Sequence, residues 1–135
     1  MATAIKIVIG NITLRAEMTD TACAKQIIDK LPIDASPNEW GDEFYFQIPV
    51  KAPPDETATA KVKVGDIGYW PPGNAMAIFF GKTPMSTGAD PVPASAINVV
   101  GRILGDATVL KQAKGATRIR IEKIKLLRPK HLGEA

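Results

Sequence analysis

Two runs of alternating residues near the start of the chain constrain the fold most strongly. Apolar side chains occupy every second position of residues 5–9 and again of residues 12–18, with Gly10-Asn11 between the runs. A period of two is typical of strands that bury one face. Gly and Asn both tolerate the positive φ of a tight turn. The sequence therefore predicts an N-terminal β-hairpin.

An amphipathic helix is predicted directly after this hairpin. Its apolar stripe repeats at helical spacing and consists of Cys23, Ala24, Ile27, Ile28 and Leu31. Thr19 or Asp20 is suited to cap the first turn, and Pro32 to end the helix. We expect about three helical turns.

The rest of the chain is predicted to be mostly strands. These segments are residues 43–48, 61–70, 75–80, 97–103 and 118–127, with a short helix at 106–114 and an irregular loop at 83–95. In the first of them, Phe44 and Phe46 share one face, and Glu43 and Tyr45 the other. A change of parity in the last segment predicts a β-bulge at Glu122-Lys123. The fold class is mainly β: about eight strands, one amphipathic helix and a short second helix indicate a closed or nearly closed barrel, and we expect the closed eight-stranded form.

Composition predicts one domain. The chain has 135 residues, 45% of them hydrophobic and 23% charged, which suffices for a core without disulfides. We expect the domain to span residues 1–128, followed by a flexible tail at 129–135. No apolar run approaches the ~20 residues that cross a bilayer, and no secretory leader is recognisable, so we expect a cytoplasmic protein without a membrane partner. The single cysteine, Cys23, excludes an internal disulfide.

The formal net charge is +3, and much of the excess lies near the C-terminus. The basic residues there are Arg118, Arg120, Lys123, Lys125, Arg128 and Lys130. Glu122 interrupts this cluster and no aromatic residue is interleaved with it, which favours the solvated face of a strand over a nucleic-acid surface.

Four segments together resemble the small cyclophilin-like domain family of bacteria and archaea. They read Trp-Gly-Asp-Glu-Phe-Tyr-Phe at 40–46, Gly-Asp-Ile-Gly-Tyr-Trp-Pro-Pro-Gly at 65–73, Phe-Phe-Gly-Lys-Thr-Pro at 79–84 and Asn-Val-Val-Gly-Arg-Ile at 98–103. This resemblance implies an eight-stranded barrel with helical caps. It implies no established activity.

True cyclophilins are similar at a greater distance, and that likeness implies prolyl cis–trans isomerisation. Their chemistry depends on an arginine beside the twisted amide, in a Phe-His-Arg sequence. This chain has Phe46 where that arginine falls and Asn98 where cyclophilins carry a histidine. Loss of a hydrogen-bond donor that points at the reacting group raises the activation free energy by about 2.7–4 kcal/mol. Isomerase activity would require Arg15 or Arg102 to reach the groove, so we expect no strong catalysis and no catalytic residue.

Other chemistries have weaker support. His131, the single histidine, lies in the expected tail, and Cys23 lies on the apolar stripe of the helix, where cysteine acts as a small hydrophobe. The acids Asp42, Glu43 and Asp66 could do acid–base work. The structural alternative is that Asp66 fixes a turn while Glu43 bonds backbone or a lysine. No metal or cofactor is expected.

The aromatic residues around Pro71-Pro72-Gly73-Asn74 support a binding role. Because neighbours in a strand face opposite sides, one of Tyr69 and Trp70 should face outward. We expect a groove for a peptide segment or a small ligand, built from Glu43, Tyr45, Trp70, Asn74, Met76, Phe79 and Asn98. Four alternatives stay open. The rings could simply pack the barrel, or the protein could be a weak prolyl isomerase. It could also self-associate or act as a partner of an amide-hydrolase-type assembly.

Overall fold

A computed structural model describes residues 2–124 of the chain. Within these residues there are nine strands: β1 (Thr3–Ile9), β2 (Ile12–Met18), β3 (Ile33–Ala35), β4 (Asn38–Glu39), β5 (Glu43–Gln47), β6 (Asp66–Trp70), β7 (Ala75–Phe79), β8 (Asn98–Ile103) and β9 (Ile119–Lys123). They are accompanied by one α-helix, α1 (Ala22–Asp29), and by 3-10 helices at Pro71–Gly73 and Ala107–Ala113. The fold is mainly β, as predicted. The expected tail at 129–135, with His131, lies outside the described residues.

The strands form one antiparallel sheet in the order β3-β9-β1-β2-β8-β6-β7-β5-β4. The predicted hairpin is confirmed, because Ile9 pairs with Ile12 across the two-residue turn. Gly10 has a φ of 57°, a conformation in which glycine carries no steric penalty. The local alternation of the sequence therefore sets the register of β1 and β2.

The predicted closure into an eight-stranded barrel is wrong. The described residues form a nine-stranded, curled half-barrel whose edge strands are β3 and β4. β3 pairs with β9, and β4 pairs with β5. The chain passes from one edge to the other through Ser36-Pro37, and Pro37 has no N–H to contribute to a ladder. The chain therefore connects the edge strands β3 and β4, but these strands do not pair with each other.

The helix α1 is confirmed, but with another cap. Thr21 is the N-cap residue, and its hydroxyl accepts a hydrogen bond from the Ala24 N–H at 3.1 Å. The helix ends at Asp29, ahead of Pro32. It is shorter than expected, with Cys23, Ala24 and Ile27 buried against the sheet. The cysteine is thus a core residue.

Within residues 2–124, the bulge predicted at Glu122-Lys123 is not observed, and residues 125–127 of the predicted strand lie outside the described residues. β9 pairs with β1 without a shift from Ile119 through Lys123. The irregularity lies instead between β6 and β8, where the register shifts between Ile67 and Gly68. None of the helices in residues 2–124 is long and apolar enough to cross a membrane.

Apolar side chains form two clusters on opposite faces of the β5–β7–β6 part of the sheet. Phe44 and Phe46 belong to the main core. The smaller cluster is built on Val62, Ala77, Phe79 and Ile97, with Tyr45, Trp70 and Val99 packed against it. The alternation predicted for β5 is therefore confirmed, and it brings Tyr45 to the smaller cluster.

Candidate functional site

A pocket of about 150 Å³ opens over the smaller apolar cluster. Seven of the described residues line it: Trp40, Glu43, Tyr45, Trp70, Pro93, Ala94 and Ile97. They come from β5, from the turn before it, from the end of β6 and from the loop before β8. Both tryptophans of the chain are among them. We call this site the aromatic pocket.

Strand β5 supplies the base of the aromatic pocket. Glu43 pairs with Phe79 and Tyr45 with Ala77 across β5 and β7. Gly68 pairs with Ala77 on the other side. A Cβ at Gly68 would lie 2.7 Å from Ile97 Cδ1, so the missing side chain makes room for Ile97. Small residues in β6 and β7 thus allow the loop before β8 to approach the sheet.

Trp70 is held in place from two sides. Its indole N–H donates a hydrogen bond to Ser95 Oγ at 2.7 Å, which ties the ring to the loop that carries Pro93 and Ala94. A Cβ at Gly73 would lie 2.7 Å from Trp70 Cε3. The ring therefore rests on the backbone of the 3-10 turn, where a larger residue would displace it.

Trp40 and Glu43 are placed by one tight turn. The Trp40 N–H donates to the Glu43 carbonyl oxygen at 3.0 Å. Gly41 between them has a φ of 60°, and a Cβ there would lie 2.8 Å from the Lys82 carbonyl oxygen. The turn is thus restricted to glycine at this position, and it presents both side chains to the aromatic pocket.

Glu43 is a buried acid without a full set of partners. Glu43 is only 7% exposed. Within residues 2–124, its Oε1 has no hydrogen-bond partner. Burial raises the pKa of the Glu43 carboxyl from 4.5 to about 7. No lysine or arginine is among the described residues that line the aromatic pocket. The carboxyl therefore lacks the cation that normally accompanies a buried charge.

The other two acids act in the framework. Asp42 binds Lys114 at 2.5 Å and Lys111 at 3.8 Å. Asp66 Oδ2 accepts from the Lys63 N–H at 2.9 Å, as the turn interpretation predicted. The expectation that Glu43 bonds backbone or a lysine is wrong for Oε1. Among residues 2–124, no group of three or more His, Cys, Asp or Glu side chains could hold a metal ion.

The structure brings together part of the predicted groove. Glu43, Tyr45 and Trp70 line the aromatic pocket, and Phe79 lies in the apolar cluster next to it. Met76 is fully buried in the main core.

The two predicted asparagines hold backbone and core groups. Asn74 is the left-handed residue after the 3-10 turn, with φ 48°, and its Oδ1 accepts from the Tyr69 hydroxyl at 3.1 Å. Asn98 is fully buried. It accepts from the Asp55 N–H at 2.9 Å and donates to the Pro53 carbonyl oxygen at 3.0 Å. It therefore anchors the 53–57 loop to β8.

Residues relevant to the isomerase comparison lie away from the aromatic pocket. Phe46 is in the main core, so the side chain at that position is not presented to the pocket. Arg102 lies opposite Glu17 and Asp66 in the sheet. Arg15 lies opposite Lys6. Neither arginine lines the aromatic pocket.

Sequence reasoning missed four lining residues: Trp40, Pro93, Ala94 and Ile97. Trp40 had a usable signal, because a tryptophan followed by glycine and two acids marks a turn at the start of an aromatic strand. The other three belong to a long irregular loop and the segment after it. Such loops often carry function, but their spacing does not say which strand they approach.

Comparisons with known proteins identify the family. A family model described as Cyclophilin-like matches residues 3–122. A hypothetical protein from Archaeoglobus fulgidus, known from a solution structure, is 34% identical, with a TM-score of 0.77 over 91% of this chain and 95% of that one. No curated protein matches the chain.

A more distant structure shows the same fold in a longer chain. McbB, solved in complex with tryptophan, is 14% identical, with a TM-score of 0.67 over 92% of this chain and 46% of that one. At this identity the likeness concerns the fold alone. The family match over nearly all described residues and the 34% identical relative lead to one conclusion: the chain belongs to the cyclophilin-like family.

Proposed function

We propose that the protein is a binding domain whose aromatic pocket receives one group of a peptide or a small ligand, without strong catalysis. The observation that carries this proposal is a buried, partly unpartnered Glu43 in a pocket lined by Trp40, Tyr45 and Trp70. A mainly apolar pocket with few polar groups is the usual form of a ligand site.

The size of the aromatic pocket limits the occupant. Its volume of about 150 Å³ is below the ~300–1,000 Å³ of pockets that enclose drug-sized ligands. A cavity of ~150 Å³ accepts a molecule the size of benzene. We therefore expect the pocket to enclose a single side chain or head group, while the rest of the ligand lies on the surface.

The two tryptophans make the proposal directly testable. Because both line the aromatic pocket, their indole N–H signals report on this site in a chemical-shift titration. Peptides with proline, lysine or aromatic side chains and small amine or aromatic fragments are titrated in turn. We expect at least one class to shift both indole signals saturably. A titration series that moves neither signal contradicts the proposal.

A matched pair of variants separates the pocket from the general surface. Tyr45→Ala removes a lining ring, and we expect about tenfold or greater loss of affinity, as for aromatic anchors elsewhere. Leu104→Ala removes an exposed apolar side chain away from the pocket and should leave affinity unchanged. Equal affinities in the two variants would place binding elsewhere.

A further inference from the structure

The charge balance of the aromatic pocket is incomplete. Glu43 is buried, its Oε1 has no partner within residues 2–124, and no cationic side chain of the described chain lines the pocket. A buried acceptor without a donor is destabilising, and a buried carboxylate without a cation more so. A ligand that brings both a positive charge and a hydrogen-bond donor would satisfy both demands.

The rings beside Glu43 favour the same ligand chemistry. Trp40, Tyr45 and Trp70 contribute π systems to one small pocket. Aromatic faces attract cations, with tryptophan the most effective, and the attraction grows when the cation is desolvated. Pro93, Ala94 and Ile97 complete the wall with apolar groups, which suit the alkyl substituents of an organic cation and exclude a hydrated metal ion.

We propose that the aromatic pocket binds an organic ammonium group that keeps at least one N–H, such as a methylated amine or an alkylammonium side chain. This inference rests on the proposed binding function. The N–H donates to the Glu43 carboxylate, and the alkyl groups contact the rings of Trp40, Tyr45 and Trp70. A quaternary ammonium supplies charge without a donor, and a neutral alcohol supplies a donor without charge, so each meets one demand of the site.

Glu43 ionisation makes this binding depend on pH. Burial places the pKa of Glu43 at about 7, and the ionised form attracts a cation. Among the described residues that line the pocket, Tyr45 is the one other titratable residue, and β7 has none in Ala75–Phe79.

The nearby acids are engaged outside the pocket. Asp42 binds Lys111 and Lys114, and Glu39 Oε2 accepts from the Gly115 N–H at 2.7 Å. Because the ionised fraction of Glu43 increases from pH 6 to pH 8, we expect the affinity for an organic ammonium ligand to rise about tenfold over this range.

Three compounds of matched size test the inference on the unmodified protein. Trimethylammonium has charge and an N–H, tetramethylammonium has charge alone, and tert-butanol has a donor alone. Alkylammonium ions stay protonated through pH 8. The indole N–H shifts of Trp40 and Trp70 give each dissociation constant. We expect trimethylammonium to bind about tenfold more tightly than either other compound at pH 8.

A charge-removing variant supplies the control. Glu43→Gln keeps the size of the side chain and an acceptor oxygen but removes the ionisable group. It should weaken trimethylammonium binding about tenfold at pH 8, abolish the pH dependence and leave tert-butanol binding unchanged. Glu56→Gln removes an exposed glutamate outside the pocket and should change none of these.

The outcomes distinguish this inference from the function on which it rests. If tert-butanol binds as tightly as trimethylammonium, the pocket is a binding site but the cation assignment is wrong. If tetramethylammonium binds as tightly as trimethylammonium, the required N–H is wrong. If none of the compounds or peptides moves the indole signals, the proposed function fails as well.

Discussion

At the scale of single residues, Glu43 determines the chemistry of the aromatic pocket. Its position at the start of β5 follows from the alternation of the strand, which sends Phe44 to the main core. Burial without a cation raises the pKa of its carboxyl to about 7. An acid in such a site stays partly protonated near neutral pH, where its neutral form costs less to bury.

The raised pKa has a consequence for stability. In the folded protein Glu43 ionises at about pH 7, whereas its ordinary value is 4.5. Between these values the unfolded chain loses the proton first, so the favourable contribution present below pH 4.5 is lost as pH rises to about 7. The difference between these two pKa values corresponds to a loss of about 3 kcal/mol in the free energy of unfolding.

Glu43→Gln tests this linkage. We expect the variant to gain up to about 3 kcal/mol in free energy of unfolding relative to the parent between pH 4.5 and pH 8, measured by urea denaturation. Glu56→Gln, an exposed change, should follow the parent at each pH. A parent and a Glu43→Gln variant with parallel pH profiles would show that Glu43 ionises normally.

At the scale of elements, local patterns predicted what local interactions decide. The hairpin of β1 and β2 follows from alternation plus Gly10-Asn11, and α1 follows from its apolar stripe. The predicted caps, Thr19 and Asp20, lie one or two residues before the observed cap, Thr21. All three are residue types that cap helices, so residue type alone does not identify the cap. Thr19 instead bonds β8, where its hydroxyl donates to the Val100 carbonyl oxygen at 3.3 Å.

Non-local pairing was not predictable in the same way. The parity change after Glu122 suggested a bulge, yet β9 pairs regularly with β1 through Lys123. The actual irregularity is at Gly68, where the sequence carries a glycine in a strand and Ile97 approaches from a distant segment. A glycine marks such a place, but its partner is set by the tertiary fold.

The pairing of β2 with β8 depends on another glycine. Gly101 lies opposite Met18, and a Cβ at Gly101 would overlap the Glu17 carbonyl oxygen. Because that neighbour is backbone, Gly101→Ala should separate the strands and cost about 1–3 kcal/mol in free energy of unfolding. Chemical denaturation measures the loss.

Gly88→Ala is the matched control. No atom lies within 4 Å of a Cβ at Gly88, and the residue is exposed. We expect a change within about 0.5 kcal/mol. Equal stabilities for Gly101→Ala and Gly88→Ala would mean that β2 and β8 are not packed as closely as described.

At the scale of the whole molecule, the family and the mainly β class were accessible from sequence, whereas closure and the site were only partly so. The main core and the aromatic pocket lie on opposite sides of the same strands. Alternation assigned Tyr45 and Glu43 to one side, but it could not identify Ile97 or Pro93 as their neighbours. Asn98 is predicted in the groove, and it stands where cyclophilins carry a histidine. In the structure its side chain instead anchors the 53–57 loop.

The arrangement of the whole molecule also bears on catalysis. Arg15 and Arg102 lie on β2 and β8, outside the lining of the aromatic pocket. We expect a protease-coupled assay with proline-containing peptides to show no acceleration at high protein concentration. Arg15→Ala and Arg102→Ala should behave as the parent does. Acceleration by the parent would contradict the proposal, and its loss in either variant would assign the activity to that arginine.

An unbiased crystallographic fragment screen tests the central claim most directly, because it does not assume a site. We predict that bound fragments concentrate between Trp40, Tyr45 and Trp70, with amine nitrogens within hydrogen-bond distance of Glu43. Fragments that collect instead at the charged surface around Arg15 and Arg120, leaving the aromatic pocket unoccupied, would contradict the account.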